Sequence, residues 1–152
     1  MVRWLGEPSE FILRLNWEAL RGGLGQAKEI LVLADGGRWI WNLAQDHWAG
    51  VKQLLDFYHG SEHLWESGRA SHGQDKAQAK PWVERRLHQL RHGQERRVLK
   101  EIAALKRPRE QPGQVVRREQ NCFAGHAGRM SYQTMADRGW PPVGGFARRA
   151  PA

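Results

Sequence analysis

The sequence predicts an α/β fold that is largely helical, with a few parallel strands confined to its front half. Three observations carry this. The stretch Glu29-Ile30-Leu31-Val32-Leu33-Ala34 is an apolar run with β-branched content, bounded by Gly25 behind and Asp35-Gly36-Gly37 ahead. A strand buried on both faces of a parallel sheet reads this way. A second such stretch, Val51 to Asp56, follows a segment of helical period, so the order is helix–strand–helix–strand–helix. That alternation points to a parallel α/β layer. Beyond the second strand the apolar spacing is helical only.

Element by element, Ser9 to about Ala27 reads as a helix with Ser9 as N-cap, and Phe11, Leu15, Trp17, Leu20 and Leu24 recur at helical spacing. Gly22, Gly23 and Gly25 predict its end. Asp35 falls at the carboxyl end of the first strand, where open α/β sheets place their ligand sites. Arg38 to Trp48 reads as a short helix, with Trp41, Leu43 or Ala44, and Trp48 facing the sheet and Gly50 ending it. Phe57 to about Ser67 is the next helix, and Gly68 to Gln74 reads as a polar linker. Two strands alone make a poor sheet.

Pro81 suits the first turn of a following helix. Val83, Leu87 and Leu90 form one apolar stripe ended by Gly93, and Val98, Ile102 and Leu105 form another. This predicts an antiparallel helical hairpin with basic outer faces. Lys106 to Gly113 is a Pro-rich connector, and Gln114 to about Arg138 is a weaker helical stretch interrupted by Gly125 and Gly128. The Pro/Gly/Ala/Arg residues from Pro141 predict a disordered tail. The domain reading is 1–70, 75–138 and a tail at 139–152.

Composition narrows the class. The 152 residues are 40% hydrophobic and 26% charged, which excludes disorder throughout. No apolar run is long enough to span a bilayer, and the start lacks the apolar stretch of a signal peptide. Cys122 is the single cysteine, so no internal disulfide forms and the cytoplasm is the default compartment. Charge is uneven. Residues 1–79 hold 8 basic and 10 acidic side chains, net −2, whereas residues 80–152 hold 16 and 6, net +10. A near-neutral front and a strongly basic back suggest a folded core followed by a region that meets a polyanion, with a solvated Arg-rich helix face as the plainer reading.

Three constellations are chemically suggestive. Asp35 before two glycines can ligate a hard cation such as Mg²⁺, although a carboxylate there also suits a turn or cap. Asp56-Phe57-Tyr58-His59 runs into Gly60-Ser61-Glu62-His63, placing His59 and His63 one turn apart on one helix face. With Asp56 or Glu62 they suit a zinc-type set. The plainer reading is two satisfied helix histidines, one capped by Asp56. His88 and His92, flanked by Arg85, Arg86 and Arg91, suit phosphate contact better than a metal. Cys122 has no neighbouring cysteine, which argues against a nucleophile or zinc ligand. No phosphate loop, dinucleotide fingerprint or nucleophile elbow is present.

The segments Ala34-Asp35-Gly36-Gly37-Arg38-Trp39-Ile40-Trp41-Asn42-Leu43 and Leu55-Asp56-Phe57-Tyr58-His59-Gly60-Ser61-Glu62-His63-Leu64-Trp65 resemble the core of bacterial insertion-sequence transposases of the ISKra type, part of the Mutator-like DDE group. Leu87 to Gly93, Asn121 to Met130 and Tyr132 to Trp140 extend the resemblance. It implies a ribonuclease-H-like core with a helical insertion, and DNA strand cleavage and transfer by three carboxylates that hold two Mg²⁺ ions. It places Asp35 as the second of those carboxylates and matches Asp56 and His59 to the family's Asp-x-x-His signature. It also implies DNA, and intact transposase subunits, as partners, with no membrane and no small-molecule substrate.

The chain departs from that pattern twice. The first carboxylate belongs upstream of the Ser9 helix, and the third belongs to a Gly-Ser-Gly-type segment just past Gly139-Trp140-Pro141. Here no acidic residue follows Asp137. The expectation is a transposase remnant, truncated in front and read out of frame at its end, without catalytic activity of its own. A non-enzymatic DNA-binding protein is the alternative, using Arg85, Arg86, Arg91, Arg96, Arg97, Arg117 and Arg118 on phosphates. A third reading is a metal-binding domain centred on Asp56, His59 and His63.

Overall fold

A computed structural model describes residues 8–140 apart from residue 74. The chain forms α1 (Pro8–Arg21), β1 (Leu31–Ala34), α2 (Arg38–His47), β2 (Lys52–Leu55), α3 (Phe57–His72), α4 (Lys76–Arg91), α5 (Glu95–Ala103), α6 (Gln111–Gly125) and α7 (Tyr132–Asp137). Short 3₁₀ turns at Leu24–Gln26 and Ala127–Arg129 follow α1 and α6. The proposed N-cap side chain at Ser9, the tail from residue 141 and the start of the first domain lie outside what is described.

The α/β reading holds in its coarse form: the chain is mostly helical around a small parallel sheet. β1 and β2 pair in parallel from Leu31 opposite Lys52 to Ala34 opposite Leu55. α2 crosses between them, and Trp41, Ala44 and Trp48 are buried, as the spacing predicts. No helix among the described residues is long and apolar enough to cross a membrane.

A single apolar cluster joins the sheet to the helices behind it. It includes Val32, Trp41 and Leu54 from the front, and Val83, Ile102 and Phe123 from the back. The basic helices therefore share the core of the sheet. α3 is the element between, packed on α4 and on α6.

Three expectations are corrected. Gly68 to Gln74 is not a linker, because α3 runs through His72. Ser67, Gly68 and Ala70 are buried, and a Cβ at Gly68 would stand 2.7 Å from Val83 Cγ2. The small residues that look like a break are the ones that let α4 come close. Pro81 is not in a first turn. α4 starts five residues earlier, behind Asp75, whose carboxylate accepts the Ala77 N–H at 2.9 Å. The ring then sits inside the helix, where it leaves the Ala77 carbonyl without its usual donor. Finally, the expected stripe of α1 is covered only in part, through Leu15 and Leu24. Ile12 is inside, while Trp17 and Leu20 are exposed. Asn16 accepts the Trp48 indole N–H at 3.2 Å, which turns the Ile12–Asn16 side of α1 toward α2.

The carboxyl end of α5 is closed by a distant side chain. Gln120 Nε2 lies 3.1, 3.0 and 3.1 Å from the carbonyls of Ile102, Ala103 and Leu105. Arg107 in turn donates to Gln120 Oε1 at 2.8 Å. This anchors the connector before α6.

Candidate functional site

The carboxyl ends of the two strands carry Asp35 and Asp56. Because Ala34 pairs with Leu55, the two carboxylates leave adjacent strands at the same level, and the Asp56 N–H donates to the Ala34 carbonyl at 2.8 Å. Asp35 is exposed, and its Oδ1 lies 3.4 Å from the Gly37 N–H. Asp56 caps α3, accepting the N–H of Tyr58 at 2.8 Å and of His59 at 3.3 Å. A capping carboxylate satisfies helix-end donors. That is the plainer of the two roles the sequence allowed it.

The far end of α6 closes over this edge. Gly36 has φ +100°, a conformation that favours glycine, and a Cβ there would lie 3.1 Å from His126 Nε2. His126 is held below its ordinary imidazole pKa by burial, then by Arg129, His63 and His59. Arg129 bonds to Gln53 Oε1 at 2.7 Å and lies over the Trp41 ring.

One turn along α3, His63 meets a pair of residues the sequence pattern does not join to the two histidines. His63 Nδ1 lies 2.5 Å from Glu119 Oε2, and His63 Nε2 lies 3.0 Å from His59 Nε2. Donor atoms of His63, Glu119 and Cys122 all fall within 4.8 Å of one another. Glu119 is fully buried on α6 and its Oε1 accepts from Arg118 Nε at 2.7 Å. Its carboxyl is held below the ordinary value by His63 and Arg118, against the opposing effect of burial. The His63 imidazole is pushed up to about 10, first by its hydrogen bond to Cys122 and then by Glu119. Glu119 and Cys122 thus both face His63 between α3 and α6.

Glu119 left one trace in the sequence. It occupies a core-facing position between Val116 and Phe123, where a carboxylate is out of place unless paired. Cys122 has no second cysteine near it in sequence, but the fold brings it into reach of a histidine and a carboxylate.

Asp35 does not belong to this group. Among the described residues, His63, Glu119 and Cys122 form the one set of three donors close enough to hold an ion. The described residues therefore do not fit a two-magnesium centre at the strand ends.

The seven arginines proposed for phosphate contact divide. Arg86 is half-buried, stacks on Trp82 and pairs with Glu101 at 2.9 Å. Arg97 pairs with the same Glu101 at 3.0 Å, and Arg118 with Glu119. Arg91 lies over the Phe57 ring. Arg85, Arg96 and Arg117 are exposed, with no ion pair among the described residues. His88 and His92 stack with centroids 4.0 Å apart. Compared with known proteins, the chain matches no family model, no curated protein and no solved structure.

Proposed function

We propose that this chain is part of a DDE-type transposase and that, taken alone, it binds DNA without cutting or joining it. The observation that carries the reading is the strand register. It sets Asp35, matched by the resemblance to a catalytic carboxylate, beside the Asp56-x-x-His59 segment at the carboxyl edge of a parallel pair, which supports the reading. Magnesium prefers near-octahedral oxygen ligation and gives up water reluctantly. One exposed carboxylate at Asp35 does not supply a two-metal centre, so the chemistry of strand transfer needs ligands beyond those the described residues bring to the strand ends. Intact subunits of the same family are the natural source of those groups.

A non-enzymatic DNA-binding role is the second reading, favoured by Arg85, Arg96 and Arg117, which are exposed and form no ion pair among the described residues. Both readings meet in one experiment. Binding of a fluorescent duplex is measured by anisotropy across salt concentrations, beside a nicking assay with Mg²⁺. Expected are salt-sensitive, sequence-tolerant binding and no nicking. Replacing Arg85, Arg96 and Arg117 by alanine reduces the slope of log K against log salt by about 2.7 if each touches one phosphate. Mg²⁺-dependent nicking that disappears in Asp35→Ala overturns the inactivity, and absence of DNA binding overturns both readings.

A further inference from the structure

We propose that His63, Glu119 and Cys122 form a binding site for a zinc-class transition-metal ion, with His59 as the residue that orients His63. The inference does not depend on the transposase reading, because it uses none of the strand-end carboxylates.

The donor chemistry is specific. One imidazole, one carboxylate and one thiolate form a mixed N/O/S set, which suits zinc and is unsuited to Mg²⁺ or Ca²⁺. The three donor atoms lie within 4.8 Å of one another, close enough to converge on one ion at ordinary zinc distances. They come from two packed helices, His63 from α3 and the i, i+3 pair Glu119 and Cys122 from α6.

The surroundings are those of a ligand set. Arg118 occupies Glu119 Oε1 and leaves Oε2 facing His63. With Nδ1 of His63 on the ion, its Nε2–H donates to His59 Nε2 at 3.0 Å. His59 Nδ1 then faces Glu62 at 3.7 Å. A metal-bound histidine almost always donates its other N–H to such a partner, which fixes its tautomer. The set carries two potential negative charges, which a divalent ion neutralises.

Three protein donors leave a position open, the pattern of zinc sites that bind water or a substrate. A cavity of about 480 Å³ lined by His59, Glu62, His63, Glu66, Arg69 and Arg118 reaches the set at His63.

The test is titration of the reduced full chain with Co²⁺, then displacement by Zn²⁺. Expected is one ion per chain, with the intensified visible bands of tetrahedral cobalt and a thiolate-to-cobalt charge-transfer band. Cys122→Ser abolishes the charge-transfer band. Glu119→Gln weakens binding at least tenfold. His59→Ala weakens it roughly 10- to 100-fold but keeps the band, as an orienting residue does. Replacing both His88 and His92 by alanine changes nothing. Circular dichroism checks folding. Where Cys122→Ser fails to fold, protection of Cys122 from iodoacetamide by Zn²⁺ in the unaltered chain replaces it, and Glu119→Gln removes that protection. No tetrahedral cobalt spectrum from the folded chain, a band that survives Cys122→Ser, or no zinc protection overturns the proposal.

Discussion

Helices α1 and α6 are nearly equal in length, 14 and 15 residues, and both are amphipathic, yet their apolar faces meet different fates. α6 lies against α3 and α5 and buries Val116, Phe123 and the whole of Glu119. α1 leans on the front of the molecule through Ile12, through Asn16 to Trp48, and through Phe11 edge-on to Trp39. Its other apolar side stays open, with Leu13 69%, Trp17 61% and Leu20 51% exposed. The difference teaches that an apolar stripe specifies a helix but does not supply its cover. A two-stranded sheet has too little surface to cover both sides of α1.

The contrast can be broken at its strongest point first. Phe123→Ala empties space at the junction of α3 and α6 and is expected to cost roughly 3–5 kcal/mol in urea denaturation. A cost below about 1 kcal/mol would show that the back of the molecule is packed no better than the front.

Gly68→Ala sharpens the same point at the contact of α3 with α4. The new methyl meets Val83 Cγ2, and overpacking is expected to cost roughly 1–3 kcal/mol despite alanine's better helix propensity. In a Val83→Ala background the cost shrinks. If it does not, steric contact is not its source.

Tyr132 offers a smaller effect of opposite sign. Its hydroxyl is buried without a partner among the described residues, and burial, then Asp56, pushes its pKa upward. Tyr132→Phe is expected to gain about 1 kcal/mol at neutral pH, since an unmade buried hydrogen bond is a net cost. The pH dependence follows from the sign of the shift. The folded chain resists ionising Tyr132, so this contribution is intact below the unfolded pKa near 10.0 and is lost as pH rises above it. The Phe variant should lose less stability than the parent between neutral and strongly alkaline pH.

The smallest effects belong to the front and its rim. Arg138 at the end of α7 pairs with Glu29 just before β1, with Lys52 on the same carboxylate. Arg138→Ala is expected to cost less than about 1 kcal/mol, and less still in high salt. Leu13→Gln is expected to change stability by no more than about 0.5 kcal/mol. A larger loss would mean that the open face of α1 is covered in solution.

Much of this was readable from residue order. The run Leu31–Ala34, the helix with Trp41 and Ala44 inside, the second strand and the Asp56 cap all depend on neighbours a few residues apart. So does the placement of His59 and His63 on one face. Other features were misread for a physical reason. Gly68 resembles a break because glycine is a poor helix former, yet its missing side chain serves the approach of α4. Pro81 resembles a helix start because its ring suits a first turn, yet Asp75 had already begun the helix.

The candidate metal site shows where the boundary falls. By itself the sequence determined the local periods, the caps and the charge of each half, since these arise from contacts within about one helical turn. Only the tertiary structure decided which side of α1 is covered, which arginines are spent in ion pairs, and that Glu119 reaches His63 across 56 residues. Meetings of that kind depend on how packed helices cross, and no spacing rule along the chain encodes them.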